Sequence, residues 1–450
     1  MRKRELMVYR TFPDGRDGLL SRMEDIVEEY GKHAGDGGNT AGSSVRERLA
    51  GQLYGCIHEL ITQAGTYGFH GNLWHCYLTH LLVTGENGYS RGCEMRGGIQ
   101  GTINQAVLHD MEIFREFFTY DFALLGRSLG VGEFSLIEHY EGSSGETGVY
   151  NTRICQCICG LARELGQCAD AGEMKDILTE FYGKYGVGKF GLYKCFRIGR
   201  GGGGEVTVEP IPRITHVRLD DLVGYELQKK KLTDNTEAFV AGRRANNCLL
   251  FGDAGTGKSS CVKAIANEYY DRGLRVIEVY KHQFQDLNEV IAQIKGRNYK
   301  FIIFMDDLSF EDFEIEYKYL KAVIEGGLEK KPSNLLIYAT SNRRHLIREN
   351  YGDKTEDGHV PEVRQDMHTS DTVQEKLSLA YRFGVTIYFG TPDKKQFQAI
   401  VGTLADRQGV AMSREELLLE ANKWELSHGG LSGRTAQQFI DYVTGSREGT

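Results

Sequence analysis

The sequence predicts an α/β fold, with a mainly parallel sheet behind a mostly α-helical N-terminal half. Three observations predict it. Before residue 200, apolar residues recur at helical spacing, most clearly over 45–64, 103–129 and 151–168. After residue 217, short runs rich in β-branched and aromatic residues alternate with helical stretches. The runs are 247–251, 274–280, 301–305, 335–340 and 385–389, and this alternation belongs to a parallel sheet buried on both faces. Finally, a glycine-rich phosphate-binding motif joins the first of these strands to the helix that follows it.

Glycine composition marks the joints. Residues 1–44, with a Gly-rich stretch at 31–44, read as a flexible N-terminal segment, and 45–200 as a helical domain of open role. Residues 201–216, which carry the end of a Gly run and two prolines, read as a linker. A strand–helix domain follows over 217–391, and 392–450 is helical again. Ser413 and Glu416 form a capping-box signature for one of these last helices.

Composition excludes several classes. The 450 residues are 40% hydrophobic and 26% charged, which fits neither a disordered chain nor a coiled coil. The net charge is −8, from 54 Lys and Arg against 62 Asp and Glu, and neither side of residue 200 is basic. A broad nucleic-acid footprint is therefore absent, although a basic patch in one groove stays open. No apolar run approaches the ~18–20 residues that span a bilayer, so no membrane partner is expected. The basic start, Met1-Arg2-Lys3-Arg4, lacks a following apolar stretch and is not a secretory signal. The ten cysteines then read as reduced thiols in the cytoplasm.

Cys155, Cys157 and Cys159, with Cys168 nearby, fall in a helical pattern. Residues two apart on a helix point about 200° away from each other, so these three thiols are expected to be core residues rather than ligands of one ion. His58, His70, His75 and His80 read as surface or core histidines, since His75 and His80 are five apart rather than four.

The segment Gly252-Asp253-Ala254-Gly255-Thr256-Gly257-Lys258-Ser259 fits the phosphate-loop pattern, with Ser260 following. Its glycines let backbone N–H groups curl around phosphates without a Cβ in the way. Lys258 has the reach for the β- and γ-phosphates, and the Ser259 hydroxyl suits Mg²⁺. The helix that opens near Lys258 offers its N-terminal dipole to the anion. An apolar strand leads in and a helix leads out, so nucleotide binding is the expectation; the alternative is a glycine turn that binds nothing.

A second apolar run, 301–305, ends in Asp306 and Asp307. Unpaired charge at the end of a buried strand costs several kcal/mol, and α/β sheets place ligands at strand C-termini. Asp306 is the expected Mg²⁺ ligand, direct or through water, and Asp307 the group that orients or activates an attacking water. A helix cap is the alternative for either.

The order of further motifs resembles AAA+ ATPases. Leu335-Leu336-Ile337-Tyr338-Ala339-Thr340-Ser341-Asn342 is similar to the sensor-1 strand, in which Asn342 would contact the γ-phosphate or water. Leu379-Ala380-Tyr381-Arg382-Phe383-Gly384 resembles the segment that carries the arginine finger, and Gly433-Arg434-Thr435 the sensor-2 arginine of the lid. Leu222-Val223-Gly224-Tyr225 resembles the turn that packs on adenine.

The resemblance runs from residue 217 to the end. It implies a P-loop αβα core with a five-stranded parallel sheet and a C-terminal helical lid over 392–450. It also implies ATP or ADP and Mg²⁺ at subunit interfaces, in a homo-oligomer such as a ring or dimer. Residues 235–239, 339–345 and 375–379 resemble, more closely, a bacterial family of uncharacterised ATP-binding proteins, and the paired Asp is also similar to the replication initiators. Many such ATPases carry Glu where this chain has Asp307, so slow turnover is expected. Arg382 could instead form a surface ion pair, with Arg343 and Arg344 as rivals for the finger, and Arg434 could cap or pair within the lid. The segment Lys281-His282-Gln283-Phe284-Gln285-Asp286 lacks the Gly of a pore loop, which argues against a threading unfoldase and makes Phe284 a core residue.

Two functions compete. One is an Mg-dependent ATPase that acts on a macromolecular partner; the other is an ATP-bound switch with negligible turnover, read out through the helical half. Asp307 and the missing pore loop favour the switch somewhat. A small-molecule kinase is disfavoured by Asn342, Arg382 and Arg434. Nucleic-acid loading rests on fold analogy alone.

Overall fold

The computed structural model describes residues 2–12, 18–33, 41–142, 149–310, 316–325, 332–342 and 382–445. They fall into two compact units, Met1–Tyr193 and Lys194–Thr450. Arg343 and Arg344, with the rest of 343–381, lie outside the described residues.

The first unit is helical. Its helices are α1 Gly18–His33, α2 Ala41–Tyr67, α3 Leu73–Thr84, α4 Gly88–Arg96, α5 Ile103–Thr119, α6 Phe122–Leu129, α7 Phe134–Glu138, α8 Thr152–Gly166, α9 Ala171–Tyr185 and α10 Gly188–Leu192. α3 is apolar all round and is buried along almost its whole length, as a central helix must be. Asn72 caps it by accepting from the His75 N–H. The N-terminal segment is tied down by Asp110 of α5, a fully buried carboxylate that accepts from the backbone of Met7 (2.9 Å), Val8 (2.7 Å) and Tyr9 (2.9 Å). His75 and His80 are structural, as expected: their Nε2 atoms lie 2.9 Å from the Phe118 carbonyl and 2.8 Å from the Tyr150 hydroxyl.

Two expectations need correction here. Residues 1–44 are not uniformly a flexible segment, because α1 buries Leu19, Leu20, Met23 and Ile26 along one face. The surrounding glycines and charges masked that stripe. The Gly-rich stretch 31–44 overlaps the end of α1 and the start of α2; residues 34–40 lie outside the described residues.

In the second unit, β1 Cys195–Arg200 and β2 Val206–Pro210 precede the expected strands β3 Cys248–Gly252, β4 Leu274–Glu278, β5 Lys300–Met305, β6 Leu335–Ser341 and β7 Val385–Phe389. Among the described residues the sheet therefore has seven strands, where five were expected, in the order β2-β1-β4-β5-β6-β3-β7. Every neighbouring pair is parallel except the β1–β2 hairpin. The expected linker is in part this hairpin. Its glycines make the turn, with Gly204 at φ 84°, Gly204 N–H donating to Gly201 O (2.9 Å) and Gly201 N–H to Glu205 O (2.9 Å). A boundary drawn at 200–217 thus cuts through the sheet, and the compact units divide at 193/194.

Helices α11 Glu226–Val240, α12 Lys258–Glu268, α13 Leu287–Ile294 and α14 Glu316–Glu325 flank the sheet. Phe284 is buried, with its ring 6.2 Å from Phe310, as a core residue should be. Three further helices, Lys394–Gln408, Arg414–Ser427 and Gly433–Gly445, enclose a separate core of Phe397, Val401, Ala421, Ala436, Phe439 and Ile440. Ser413 caps the second of them by accepting from the Glu416 N–H. This is the expected lid. Among the described residues, no helix is long and apolar enough to cross a membrane.

Candidate functional site

The phosphate loop leaves β3, which lies between β6 and the edge strand β7, and enters α12. Gly252, Gly255 and Gly257 have φ of 132°, 75° and 85°. At Gly252 the need is absolute, since a Cβ there would lie 2.1 Å from the Phe389 carbonyl oxygen of β7. At Gly255 a Cβ would press on Ser432 and Arg434, where the lid crosses the loop. Thr256 braces the loop by donating to the Asp253 carbonyl (2.8 Å).

Lys258 is buried and curls back over the loop, donating to the carbonyls of Gly252 (3.0 Å) and Asp253 (2.6 Å). Burial pulls its ammonium below its usual pKa, against the pull of Asp253, Asp307 and Asp306. The side chain of Asp253 does not turn to the cleft. Its carboxylate accepts from the Thr391 hydroxyl and N–H, both at 2.7 Å, and these bonds hold it below the usual carboxylate range.

Asp306 and Asp307 follow β5, beside the loop, because β6 lies between β5 and β3. Asp306 Oδ1 accepts from the hydroxyls of Ser259 and Thr340, each at 2.5 Å. Two hydroxyls, one from the first turn of α12 and one from β6, thus fix one carboxylate oxygen. Asp307 sits at φ 51°, a left-handed conformation uncommon outside glycine. Its N–H donates to Thr340 Oγ1 (2.9 Å), and the Asn342 side chain donates to its Oδ1 (2.8 Å). The two sequence-predicted residues Asp307 and Asn342 are therefore direct partners.

These groups line one cavity of about 750 Å³. Ala254, Gly255, Thr256, Gly257, Lys258, Ser259 and Ser260 form its floor, with Asp306, Asp307 and Asn342 on one side and Arg434 on the lid side. The Arg434 N–H approaches the Gly255 carbonyl at 3.4 Å. Val223 forms part of the wall with Leu222 and Tyr225, while Gly224 supplies the bend between them at φ 83°. The Tyr225 hydroxyl donates to Gly390 O (2.9 Å), and burial pushes its pKa up to about 12.

Arg382 is placed elsewhere. It is exposed, does not line the cavity, and forms an ion pair with Glu325 of α14. Sequence reasoning missed Thr340, Ile400, Leu404, Gln437 and Gln438, all of which line the cavity. Helix and strand periodicity could have found them. Thr340 is two residues from Asn342 along the strand, and Gln437 and Gln438 are three and four residues from Arg434 along a helix.

The phosphate loop and acidic pair stand on a parallel sheet capped by a helical lid, and this arrangement coincides with a known family. Residues 192–447 match the family model described as "Protein of unknown function (DUF815)". The chain belongs to the DUF815 family. The match spans almost the whole second unit of this DUF815 protein, hairpin included. A 78-residue stretch is 35% identical to the replication factor C large subunit of Methanococcus vannielii, covering 17% of this chain and only 15% of that protein. Among solved structures, the Thermotoga maritima RuvB Holliday junction branch migration motor is 14% identical, with 50% of this chain and 71% of that one covered and a TM-score of 0.32. The FIGL-1 AAA domain in complex with ADP is 16% identical, with 52% and 74% covered and a TM-score of 0.35.

Proposed function

We propose that this DUF815 protein is an Mg-dependent ATP-binding AAA+ protein that hydrolyses ATP slowly and uses the cycle to move its lid against a macromolecular partner. The observation that carries the reading is the convergence of the phosphate loop, Asp306, Asp307, Asn342 and Arg434 on one cleft. The backbone N–H groups of 254–259 and the α12 N-terminus receive the phosphates. Lys258 exchanges its two carbonyl partners for phosphate oxygens. Arg434 joins from the lid, so closure follows the charge in the cleft.

The donor set beside the loop fits Mg²⁺: a hydroxyl and a carboxylate oxygen, hard and 2.5 Å apart. Ser259 and Asp306 would hold the ion, which would supply positive charge to neutralise the phosphates. Asp307 orients the attacking water and accepts its proton, and Asn342 holds Asp307 in place. Arg382, turned away from its own chain's cleft, would serve the cleft of a neighbouring copy as a finger.

A switch with negligible turnover is the second reading. It is favoured by the 2.8 Å bond from Asn342, which occupies one oxygen of an already short carboxylate.

Phosphate release with Mg-ATP across a protein concentration series tests both. Activity per chain that rises with concentration and vanishes in Lys258→Ala supports an assembled ATPase. Tight ATP binding with no release at any concentration selects the switch. Wild-type ATP affinity in Lys258→Ala removes the loop from the site altogether.

A further inference from the structure

We propose that His70, Cys76, Cys155 and Cys159 form a zinc-binding site in the first unit, distant in sequence from the nucleotide motifs and independent of them. The pattern Cys155, Cys157, Cys159 hides the site, because only the outer two cysteines belong to it. They are four apart on α8 and share a face, while the half-buried Cys157 points elsewhere. α3 brings Cys76 to that face, with Sγ 3.7 Å from Cys159 Sγ. The turn before α3 brings His70, with Nδ1 3.9 Å from Cys155 Sγ. The donor atoms of His70, Cys155 and Cys159 all lie within 4.8 Å of one another.

The Cys76–Cys159 spacing is that of a tetrahedral shell and the His70–Cys155 spacing is a few tenths of an ångström longer, while Cys76 stands outside the 4.8 Å group and would draw in as the ion binds. Thiolates about 2.3 Å from a zinc ion sit about 3.8 Å from each other, and an imidazole nitrogen sits slightly closer. The cluster holds no carboxylate and no hydroxyl, so soft thiolate and imidazole select zinc over Mg²⁺ or Ca²⁺. Packing alone gives no reason for an imidazole nitrogen to face a thiol in this cluster. The scaffold is fixed before any ion arrives. Asn72 and Asn151 cap α3 and α8, and the His70 turn is pinned by paired hydrogen bonds between Gly71 and Tyr140, at 2.9 and 3.0 Å.

An entry path is present. A cavity of about 310 Å³ is lined by His70, Cys76 and Cys159, with Glu138, His139 and Arg163 among its other walls. Arg163 offsets the net negative charge of a zinc ion with three thiolates. Binding releases thiol protons, since Cys76 donates to His70 O (3.4 Å) and Cys155 to Gly68 O (2.6 Å).

The test is cobalt titration of the full chain after chelator treatment, followed by zinc displacement. One Co²⁺ per chain is expected, with thiolate-to-cobalt charge-transfer bands and the intense visible bands of tetrahedral coordination, all erased by one equivalent of zinc. Cys159→Ser and His70→Ala should each lose stoichiometric binding, and Cys157→Ser should keep it. Because Cys159 is buried, circular dichroism accompanies it, and His70→Ala carries the test if Cys159→Ser fails to fold. Lys258→Ala should bind cobalt as wild type does, so the result stands apart from the ATP reading. The proposal is overturned if no thiolate band appears at protein-equivalent cobalt. It is equally overturned if His70→Ala binds as wild type does, or if Cys76 and Cys159 are recovered as a disulfide in chains that take up no metal.

Discussion

At the scale of single residues, the site depends on groups held in costly states. Asp307 adopts a left-handed conformation that costs of order 1 kcal/mol or more for a residue with a Cβ. The bonds from its N–H to Thr340 and from Asn342 to its carboxylate hold it there. Asp307→Asn should keep ATP affinity within about twofold and lower turnover by roughly 10²-fold or more, as loss of a general base does; single-turnover kinetics and equilibrium binding together check this. In the first unit, Asp110 gathers three backbone N–H groups in a buried position. Asp110→Ala orphans all three and should cost about 3 kcal/mol or more, read as a lowered urea midpoint. Lys258, Ser259, Asp306, Asp307 and Asn342 were legible in the sequence because chemistry restricts those positions to one or two residue types. Asp253 was not. A loop carboxylate looks the same in sequence whether it faces phosphate or, as here, Thr391.

At the scale of elements, legibility followed period. The five strands β3–β7 and several of the longer helices were readable because apolar runs and stripes repeat. The β1–β2 hairpin was not, since a run of glycines serves a linker and a hairpin turn equally well; only its pairing with β4 decides. The thiol cluster was half legible. The helix and the burial of Cys155 and Cys159 are as expected, but their grouping with His70 is hidden, because the sequence shows neighbours two apart and the shared face joins residues four apart. Close approach between elements is likewise invisible in sequence. β3 and β7 meet so tightly at Gly252 and Phe389 that Gly252→Ala should destabilise the second unit by more than about 3 kcal/mol, lowering Tm even without nucleotide. A nucleotide-only role for Gly252 would leave Tm unchanged.

At the scale of the whole molecule, the seven-stranded sheet defines where the chain can be divided. A fragment of 194–450 keeps β1 and β2 over the β4 edge, whereas 217–450 exposes the backbone of β4 to other chains. The longer fragment should be soluble and monodisperse by size exclusion, and the shorter one should aggregate. Assembly is tested at this scale too. Arg382→Ala should leave ATP affinity intact and lower concentration-dependent turnover by about 10³-fold, the usual worth of a finger. If turnover is unchanged, the Glu325 ion pair is the residue's whole role.

The short segment before α11 has a mechanical consequence. Leu222 packs against the core of the sheet, and its immediate neighbour Val223 packs against the core of the lid. Arg407, on a lid helix, also grips this segment through the carbonyls of Asp220 (2.6 Å) and Asp221 (2.9 Å). Two bodies are thus stitched together across a single peptide bond, and the stitch lies on the wall of the cleft. Any rotation between lid and sheet is geared directly to the width of the slot beside Val223. Under the proposed function, the grip on a base beside Val223 and the angle of the lid become one coordinate of motion, so a force applied to the outer face of the lid would loosen or tighten the nucleotide without touching a phosphate.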